Sequence, residues 1–394
     1  SAPLTIAEAS ELALADEPGH AALRARAEAA REHAVAEGQL PDPTLRVGLA
    51  NFPISGGGFS TEGMTQAQLG FRQAFPRARS AAAERRSAEA EAFGHDAAAR
   101  SEDVLTAVRK TWLAAYYAQR SLALVDESRA YFEDLATTTT SLYSVGRKTQ
   151  HDVLRAELEL SRLEDRRIEA DRRLSEARAA RSRWIGEEAR RPVAMALPDG
   201  RAWPALSDLR ARLQGHPALA AAAASVDASR AAVRVAEARK KPGWALDLGY
   251  GYRDGFLPNG EPRSDFVSLA VTVDLPFFAG QRQDRKLAAA LGERGSAMSE
   301  RAELEARLAS ELDAEYARWT NLTRRLALYE TRILEQARAQ AEAALLAYQS
   351  DAGDFSDVMR GRVDELNTRL EHVRLQVERA RSYAVLANLG GLER

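Results

Sequence analysis

The sequence predicts a mainly α-helical protein that carries a few amphipathic β-strands of the kind that cross a membrane. Three observations support this fold class. Two segments of about 70 residues lack helix breakers almost entirely, four short segments alternate apolar with small or polar residues, and the order of these elements occurs twice.

Composition excludes several classes of protein. The 394 residues carry a net charge of −2, which gives no reason to expect nucleic acid as a partner. Cysteine is absent, so disulfides and thiolate metal sites are excluded. No apolar run is long enough for a transmembrane helix, and the opening SAPLTIAEA lacks the regions of a signal peptide, so we expect either a cytosolic protein or one whose signal peptide has already been removed.

The internal repeat divides the chain at about residue 200. Pro43 matches Pro242 and Pro76 matches Pro276, and a Tyr-(x8)-Asp-Val segment beginning at Tyr143 occurs again at Tyr348. We therefore predict a first structural repeat over residues 1–200 and a second over 201–394.

Each predicted repeat contains a helix, two strands, a very long helix and a return helix. The first helix begins with the capping-box pattern Thr5-Ile-Ala-Glu8 and is expected to run to about Gly38. The other elements of the first repeat are predicted at 43–52, 64–75, 77–145 and 150–186. Those of the second repeat are predicted at 242–252, 264–275, 281–349 and 355–390.

The long helices require partners. Apolar residues recur every three or four positions from Leu304 to Ile333, which is the spacing of one helix face. A helix of about 70 residues is roughly 100 Å long and cannot bury a narrow apolar stripe by itself. We expect neighbouring helices to cover the stripe, as in a coiled coil.

The four predicted strands each have an apolar face and a polar face. Val267, Leu269 and Val271 alternate with Ser268, Ala270 and Thr272, and the other strands follow the same rule. Ordinary soluble hairpins alternate in this way too, but these strands are joined by long loops and lead directly into helices. A barrel with apolar residues outside and polar residues inside needs this alternation, and its lumen would then be lined by four charged residues. These residues are Arg46, Arg72, Asp247 and Asp274.

Several segments together resemble the TolC-like outer-membrane efflux proteins. The opening LTIAEASELALADEPGH, the junction PFFAGQR and the turn segment YSVGRKTQHDVLRAE are similar to segments of that family, and the similarity covers essentially the whole chain. The junction QAFPRAR, the length and the missing lipidation cysteine are most similar to its heavy-metal branch, the outer-membrane partners of cation-exporting RND pumps.

The resemblance implies a homotrimer in the bacterial outer membrane. Three chains with four strands each would form a twelve-stranded barrel, continued into the periplasm by a barrel of long α-helices. The expected partners are a periplasmic adaptor protein, an inner-membrane RND transporter and outer-membrane lipid. The expected function is a passive exit duct, with heavy-metal cations as cargo.

The resemblance also places a gate at the two helix turns, where the tunnel would close. Asp152 and Asp357 match the family's Asp-Val pattern, but Arg155 and Arg360 replace a second acid three residues later, which suggests an acid–base lock. Asp351, Asp354 and Asp357 would form a cation-favouring constriction after three-fold repetition, with Arg360, Arg147 or Lys148 as closing partners. Tyr348 begins the second turn segment. The alternative is that these residues are solvated turn charges and helix caps.

No enzymatic chemistry is indicated. The six histidines are scattered without metal-ligand spacing, and no phosphate-binding loop or nucleophile motif is present. We expect no enzyme, no cofactor and no bound metal. Two alternatives to a metal efflux duct are a duct for drugs or type I secretion and a non-conducting periplasmic coiled-coil adaptor or scaffold.

Overall fold

The structure is a computed structural model that describes residues 2–197, 204–350 and 352–391. The chain forms two compact units. One comprises Ser1–Ala21, Ala97–Pro217 and Glu305–Arg394, and the other comprises Ala22–Asp96 and Ala218–Leu304.

Helices account for most of the described residues. They are α1 (Ile6–Ala15), α2 (Pro18–Gly38), α3 (Arg79–Ser144), α4 (Gln150–Ile185), α5 (Leu206–Leu213), α6 (Pro217–Ala238), α7 (Gln283–Leu328), α8 (Leu334–Gln349) and α9 (Phe355–Gly390). Within the described ranges, no helix combines the length and the apolar character needed to cross a membrane.

The predicted first helix is divided in two. The Thr5 hydroxyl accepts a hydrogen bond from the Glu8 amide, as the capping-box pattern predicts, but α1 ends at Ala15 and α2 begins at Pro18. Proline has no amide hydrogen and suits the first position of a new helix, so a continuous helix to Gly38 was wrong. Between the helices, Glu17 accepts a hydrogen bond from the His20 amide and pairs with Arg100 at 2.8 Å.

The first unit has an apolar core beneath the start of the chain. Trp112 of α3 is fully buried, and its indole nitrogen donates to the Leu4 carbonyl at 2.9 Å. Leu4 also forms a parallel bridge with Val193, which follows α4. The beginning and the end of the first predicted repeat are therefore held on the same long helix.

The second predicted long helix contains an irregular turn. A π-helical turn at Tyr329–Ile333 separates α7 from α8, where one uninterrupted helix over 281–349 was expected. A π turn adds one residue and changes which side chains face a neighbouring helix. Before this turn, Leu322 and Leu326 are buried against Leu375 of α9.

Beyond the π turn, α8 and α9 pack closely. A Cβ atom added to Gly361 would lie 3.1 Å from the Cα atom of Ala341, which is fully buried. Gly361 therefore allows the two helix backbones to approach more closely than a larger residue would permit.

The second unit contains a four-stranded antiparallel sheet in the order β1-β2-β3-β4. Its strands are β1 (Thr44–Ala50), β2 (Gln66–Phe75), β3 (Gly243–Tyr252) and β4 (Phe266–Asp274). Each strand pairs with the next along the chain, so β1 and β4 are the two edges. Ion pairs join helices of the same unit, including Glu37 of α2 with Arg86 of α3 at 2.7 Å.

Candidate functional site

One face of the sheet is apolar and exposed. The strand registers place Leu45, Phe71, Leu248 and Leu269 in one row across the sheet, and Val47, Leu69, Tyr250 and Val267 in the next. In a water-soluble sheet such rows are buried, yet Val47 and Val267 are each 75% exposed. This face is therefore suited to contact with lipid rather than with water.

The opposite face carries the four charged residues predicted for a channel lumen. Arg46 lies opposite Gly70, Arg72 lies opposite Asp247, and Asp274 lies opposite Gly243. Because side chains alternate along a strand, these registers place all four charged residues on the same face. The two faces thus differ sharply in polarity, as a barrel wall requires.

Only one pair among these four residues is in contact. The Arg72 Nε atom lies 3.8 Å from Asp247 Oδ1, and the Thr272 hydroxyl donates to Asp247 Oδ2 at 2.8 Å. The sequence did not identify Arg72, Asp247 and Thr272 as one group, because they belong to three strands whose register is not visible in the pattern. Arg46 and Asp274 make no ion pair within the described residues.

Aromatic rings are concentrated at the ends of the strands. Phe75 and Trp244 stack with ring centroids 4.0 Å apart at the end where the strands adjoin helices. At the other end, the Arg253 guanidinium lies 3.9 Å from the Phe266 ring centroid. Aromatic bands at both ends of an apolar strand face are typical of strands that cross a membrane.

The turn between α3 and α4 is closed by a capping box. Thr149 precedes α4, its hydroxyl accepts from the Asp152 amide at 3.3 Å, and the Asp152 carboxylate accepts from the Thr149 amide at 3.1 Å. Gly146 has a φ of 73°, a left-handed conformation that glycine adopts without strain. Asp152 is therefore a helix-capping residue, which was the structural alternative to its predicted gating role.

The predicted pairing of an acidic with a basic side chain is not formed within this first turn. Arg155 is half-buried and makes no ion pair within the ranges that the structure describes, and the Arg147 side chain is exposed. The Thr149-x-x-Asp152 spacing could have revealed the cap, because it is a capping-box pattern readable in the sequence.

The turn between α8 and α9 contains the remaining residues predicted to form the gate. Asp357 and Arg360 form an exposed ion pair, with Nη1 and Oδ1 3.5 Å apart. Asp354 precedes α9, and its backbone carbonyl, not its side chain, accepts from the Asp357 amide. Asp351 lies outside the described residues. Both partners belong to the first turns of α9 at i,i+3 spacing, so this ion pair does not join the two turns.

The two turns meet at an aromatic side chain. Tyr348 is only 8% exposed, packs against Phe355 with ring centroids 5.6 Å apart, and has the Lys148 ammonium 3.9 Å from its ring centroid. Lys148 was predicted as a closing partner for an acid, whereas the structure places it on an aromatic ring. Its separation from Tyr348 by 200 positions left no local signal of this contact.

The described residues contain no group of three or more histidine, aspartate or glutamate side chains placed to hold a metal ion. The candidate functional features of this chain are the two faces of the sheet and the paired turns.

Known proteins share this arrangement. Residues 209–392 match the family model described as outer membrane efflux protein. The chain is 28% identical to Protein CyaE of Bordetella pertussis in an alignment 318 residues long, which covers 74% of this chain and 63% of CyaE. The chain thus matches less than two thirds of the length of that relative.

Two solved structures have the same fold over nearly the whole chain. The transmembrane channel protein CusC matches with a TM-score of 0.81 at 15% identity, covering 97% of this chain and 91% of CusC. The outer membrane protein VceC from Vibrio cholerae matches with a TM-score of 0.82 at 17% identity, covering 98% of this chain and 96% of VceC.

The structural matches confirm the predicted combination of long helices with four antiparallel strands, and the matched family model is the one that the sequence resemblance indicates. Residues 209–392 are thus similar to the outer membrane efflux protein family, and over nearly its whole length the chain has the fold of CusC and VceC.

Proposed function

We propose that this chain is the subunit of a passive trimeric duct through the outer membrane, which receives its cargo from an inner-membrane RND pump and a periplasmic adaptor. The proposal rests on the two faces of the sheet: one face is apolar and exposed, and the opposite face carries four charged residues. These residues are Arg46, Arg72, Asp247 and Asp274.

The edges of the sheet support assembly with other copies. Within lipid, each backbone amide and carbonyl needs a hydrogen-bond partner, and edge strands β1 and β4 have no neighbour on one side in this chain. Four strands are too few to enclose a lumen, since closed barrels begin near eight strands. Pairing β4 of one copy with β1 of the next would close a ring, and three copies would supply twelve strands.

The long helices support the same assembly. Apolar side chains on α4 remain outside the core of the single chain: Leu154 is 55% exposed, Leu158 is 50% exposed and Ile168 is 61% exposed. Exposed apolar residues at this helical spacing favour packing against a helix of another copy.

Within this duct we propose heavy-metal cations as the cargo, with drugs and secreted polypeptides as alternatives. The resemblance to the heavy-metal branch is one support. The other is the pair of exposed carboxylates at the second turn, Asp354 and Asp357, which three-fold repetition would bring into a ring. The adaptor would bind beside the two turns, and the duct itself would need no catalytic centre.

A cross-linking experiment tests the ring. The chain has no native cysteine, so the double variant Leu45→Cys/Leu269→Cys places one thiol on each sheet edge. Because closing a barrel staggers neighbouring strands by a fixed shear, Leu45 of one copy is not assumed to lie directly opposite Leu269 of the next, and bis-maleimide linkers of increasing length are compared. If the chain forms a trimeric duct in detergent, the linkers should produce covalent dimers and trimers and nothing larger.

The matched control is Leu69→Cys/Leu248→Cys, which places both thiols on interior strands. It should link only within a chain. Absence of a covalent trimer in the edge variant, together with a monomer or dimer that is soluble without detergent, would favour the adaptor alternative.

A further inference from the structure

A cavity of about 610 Å³ lies within the second unit, where the strands continue into helices. It opens on the polar face of the sheet, since Arg72, Ala245 and Asp274 are among its lining residues. The ends of α2 and α6 and the beginnings of α3 and α7 supply the rest of the wall. The strand alternation gave no indication of this cavity.

The wall of the cavity is strongly basic. Its cationic side chains outnumber its carboxylates by six to two. The cations are Arg72, Arg77, Arg79, Arg239, Arg282 and Lys286, and the carboxylates are Glu37 and Asp274.

The carboxylates do little to neutralise this charge. Glu37 pairs with Arg86, which is not part of the wall, and Arg72 has only the long contact of 3.8 Å with Asp247. Arg79, Arg239, Arg282 and Lys286 make no ion pair within the described part of the chain. Like charges gathered around a concave wall raise the local potential and attract anions.

One arginine is held in place by the backbone. A guanidinium nitrogen of Arg77 donates to the carbonyl of Lys241, and its Cζ atom lies near the point where a side chain at Gly243 would begin. This contact uses only one of the five N–H donors of the guanidinium group and fixes its position. The remaining donors are available to a ligand.

We propose that this cavity is a binding site for phosphate groups. Several arginines around one concave wall suit phosphate, because the planar guanidinium donates two parallel hydrogen bonds to its oxygens. The site would bind a small multivalent phosphate compound inside the duct, because the cavity opens on the polar face of the sheet and not on the apolar face suited to lipid.

Isothermal calorimetry with inorganic pyrophosphate tests the proposal on the full-length protein in detergent. We expect saturable binding that the double variant Arg282→Gln/Lys286→Gln weakens at least about tenfold, because two charged donors are lost. The control Arg24→Gln/Arg26→Gln removes two exposed cations of α2 that do not line the cavity and should bind as the unmodified protein does.

A second arm tests whether the site takes a lipid headgroup instead. The protein is placed in nanodiscs of phosphatidylglycerol or of phosphatidylcholine, and the lipids that remain attached are counted by native mass spectrometry. Pyrophosphate binding without retention of phosphatidylglycerol supports a site for a compound inside the duct. Retention of phosphatidylglycerol that is lost in the double variant would overturn this assignment.

The proposal is also overturned if pyrophosphate does not bind, or if it binds the double variant as well as it binds the unmodified protein. The binding measurement does not require ion conduction or a trimer. Failure of the proposed duct would therefore be seen separately from failure of the phosphate site.

Discussion

The ammonium nitrogen of Lys148 lies 3.9 Å from the ring centroid of Tyr348. Lys148 belongs to the turn between α3 and α4, and Tyr348 lies at the end of α8, so one contact joins the turn segments of both halves of the sequence. Thr149 and Asp152 fix the first turn through their capping box, and Phe355 also packs against the tyrosine ring. We expect this contact to favour one arrangement of the two turns.

Replacing Lys148 with methionine should weaken that preference. The methionine side chain has a similar length but lacks the cation–π attraction, which contributes about 0.5–1 kcal/mol. Its loss should change the ratio of the favoured arrangement of the turns to the alternative one by roughly two- to fivefold. If the turns gate the duct, single-channel recordings should show a higher open fraction for Lys148→Met. Lys148→Arg retains a cation and should behave as the unmodified protein. Equal open fractions in all three proteins would exclude this contact from gating.

Replacing Tyr348 with phenylalanine should be neutral or stabilising. The Tyr348 hydroxyl is buried and has no hydrogen-bond partner among the residues that the structure describes, a situation that costs about 1–3 kcal/mol, while its ring contacts remain in the variant. Tyr348→Ala, in contrast, should destabilise by about 3–5 kcal/mol through loss of the buried ring. Thermal unfolding followed by circular dichroism measures both. A marked destabilisation of Tyr348→Phe would show that the hydroxyl is bonded in the folded protein.

Reversing the charge of Asp357 tests the acidic constriction. Asp357→Lys places a cation beside Arg360, so the duct should lose cation preference, and the loss should be largest at low salt because screening is weakest there. Reversal potentials under a salt gradient measure the preference. Asp171→Lys, an exposed change on α4 away from the turns, should leave it unaltered. If Asp357→Lys leaves conductance and its salt dependence unchanged, the proposed gate is wrong.

The ion pair between Glu17 and Arg100 predicts a loss of stability in acid. The hydrogen bond from Arg100 lowers the pKa of the largely buried Glu17 carboxyl from 4.5 to about 2. A carboxyl whose pKa is lowered by folding stabilises the protein above its unfolded value, and this contribution, about 2–3 kcal/mol, is lost as the pH falls from roughly 4.5 towards 2.

The unfolding temperature at pH 7 and pH 3 checks this prediction. Glu17→Gln should be less stable than the unmodified protein at pH 7. Its unfolding temperature should also fall less between pH 7 and pH 3 than that of the unmodified protein. Glu11→Gln removes an exposed carboxylate of α1 that makes no ion pair within the described residues and serves as the control. Identical pH dependence of the Glu17 and Glu11 variants would contradict the assignment.

The general form of this fold could be predicted from the sequence because its signals are local. Alternation along Val267 to Val273 predicts a strand with two faces, and the scarcity of breakers after Pro76 predicts a long helix. The division between α1 and α2 was missed although Pro18 was visible, because an apolar pattern continues on both sides of it. The π turn at Tyr329–Ile333 has no comparable local signal.

The contacts of the candidate site were less predictable because they join distant parts of the chain. Arg72 meets Asp247 only through the register of β2 with β3, and Lys148 meets Tyr348 only when both turns are folded. The sequence therefore indicated which residue types lie on the polar face and in the turns, but not which of them touch.

The most direct test of the duct combines mass and conductance on the purified full-length protein in detergent. Light scattering should give the mass of three 43.1 kDa chains, and planar bilayers should show a cation-preferring conductance that divalent metal ions partly block. A monomer or dimer that needs no detergent and conducts no ions would contradict the account and would leave the strands as ordinary hairpins on a helical adaptor.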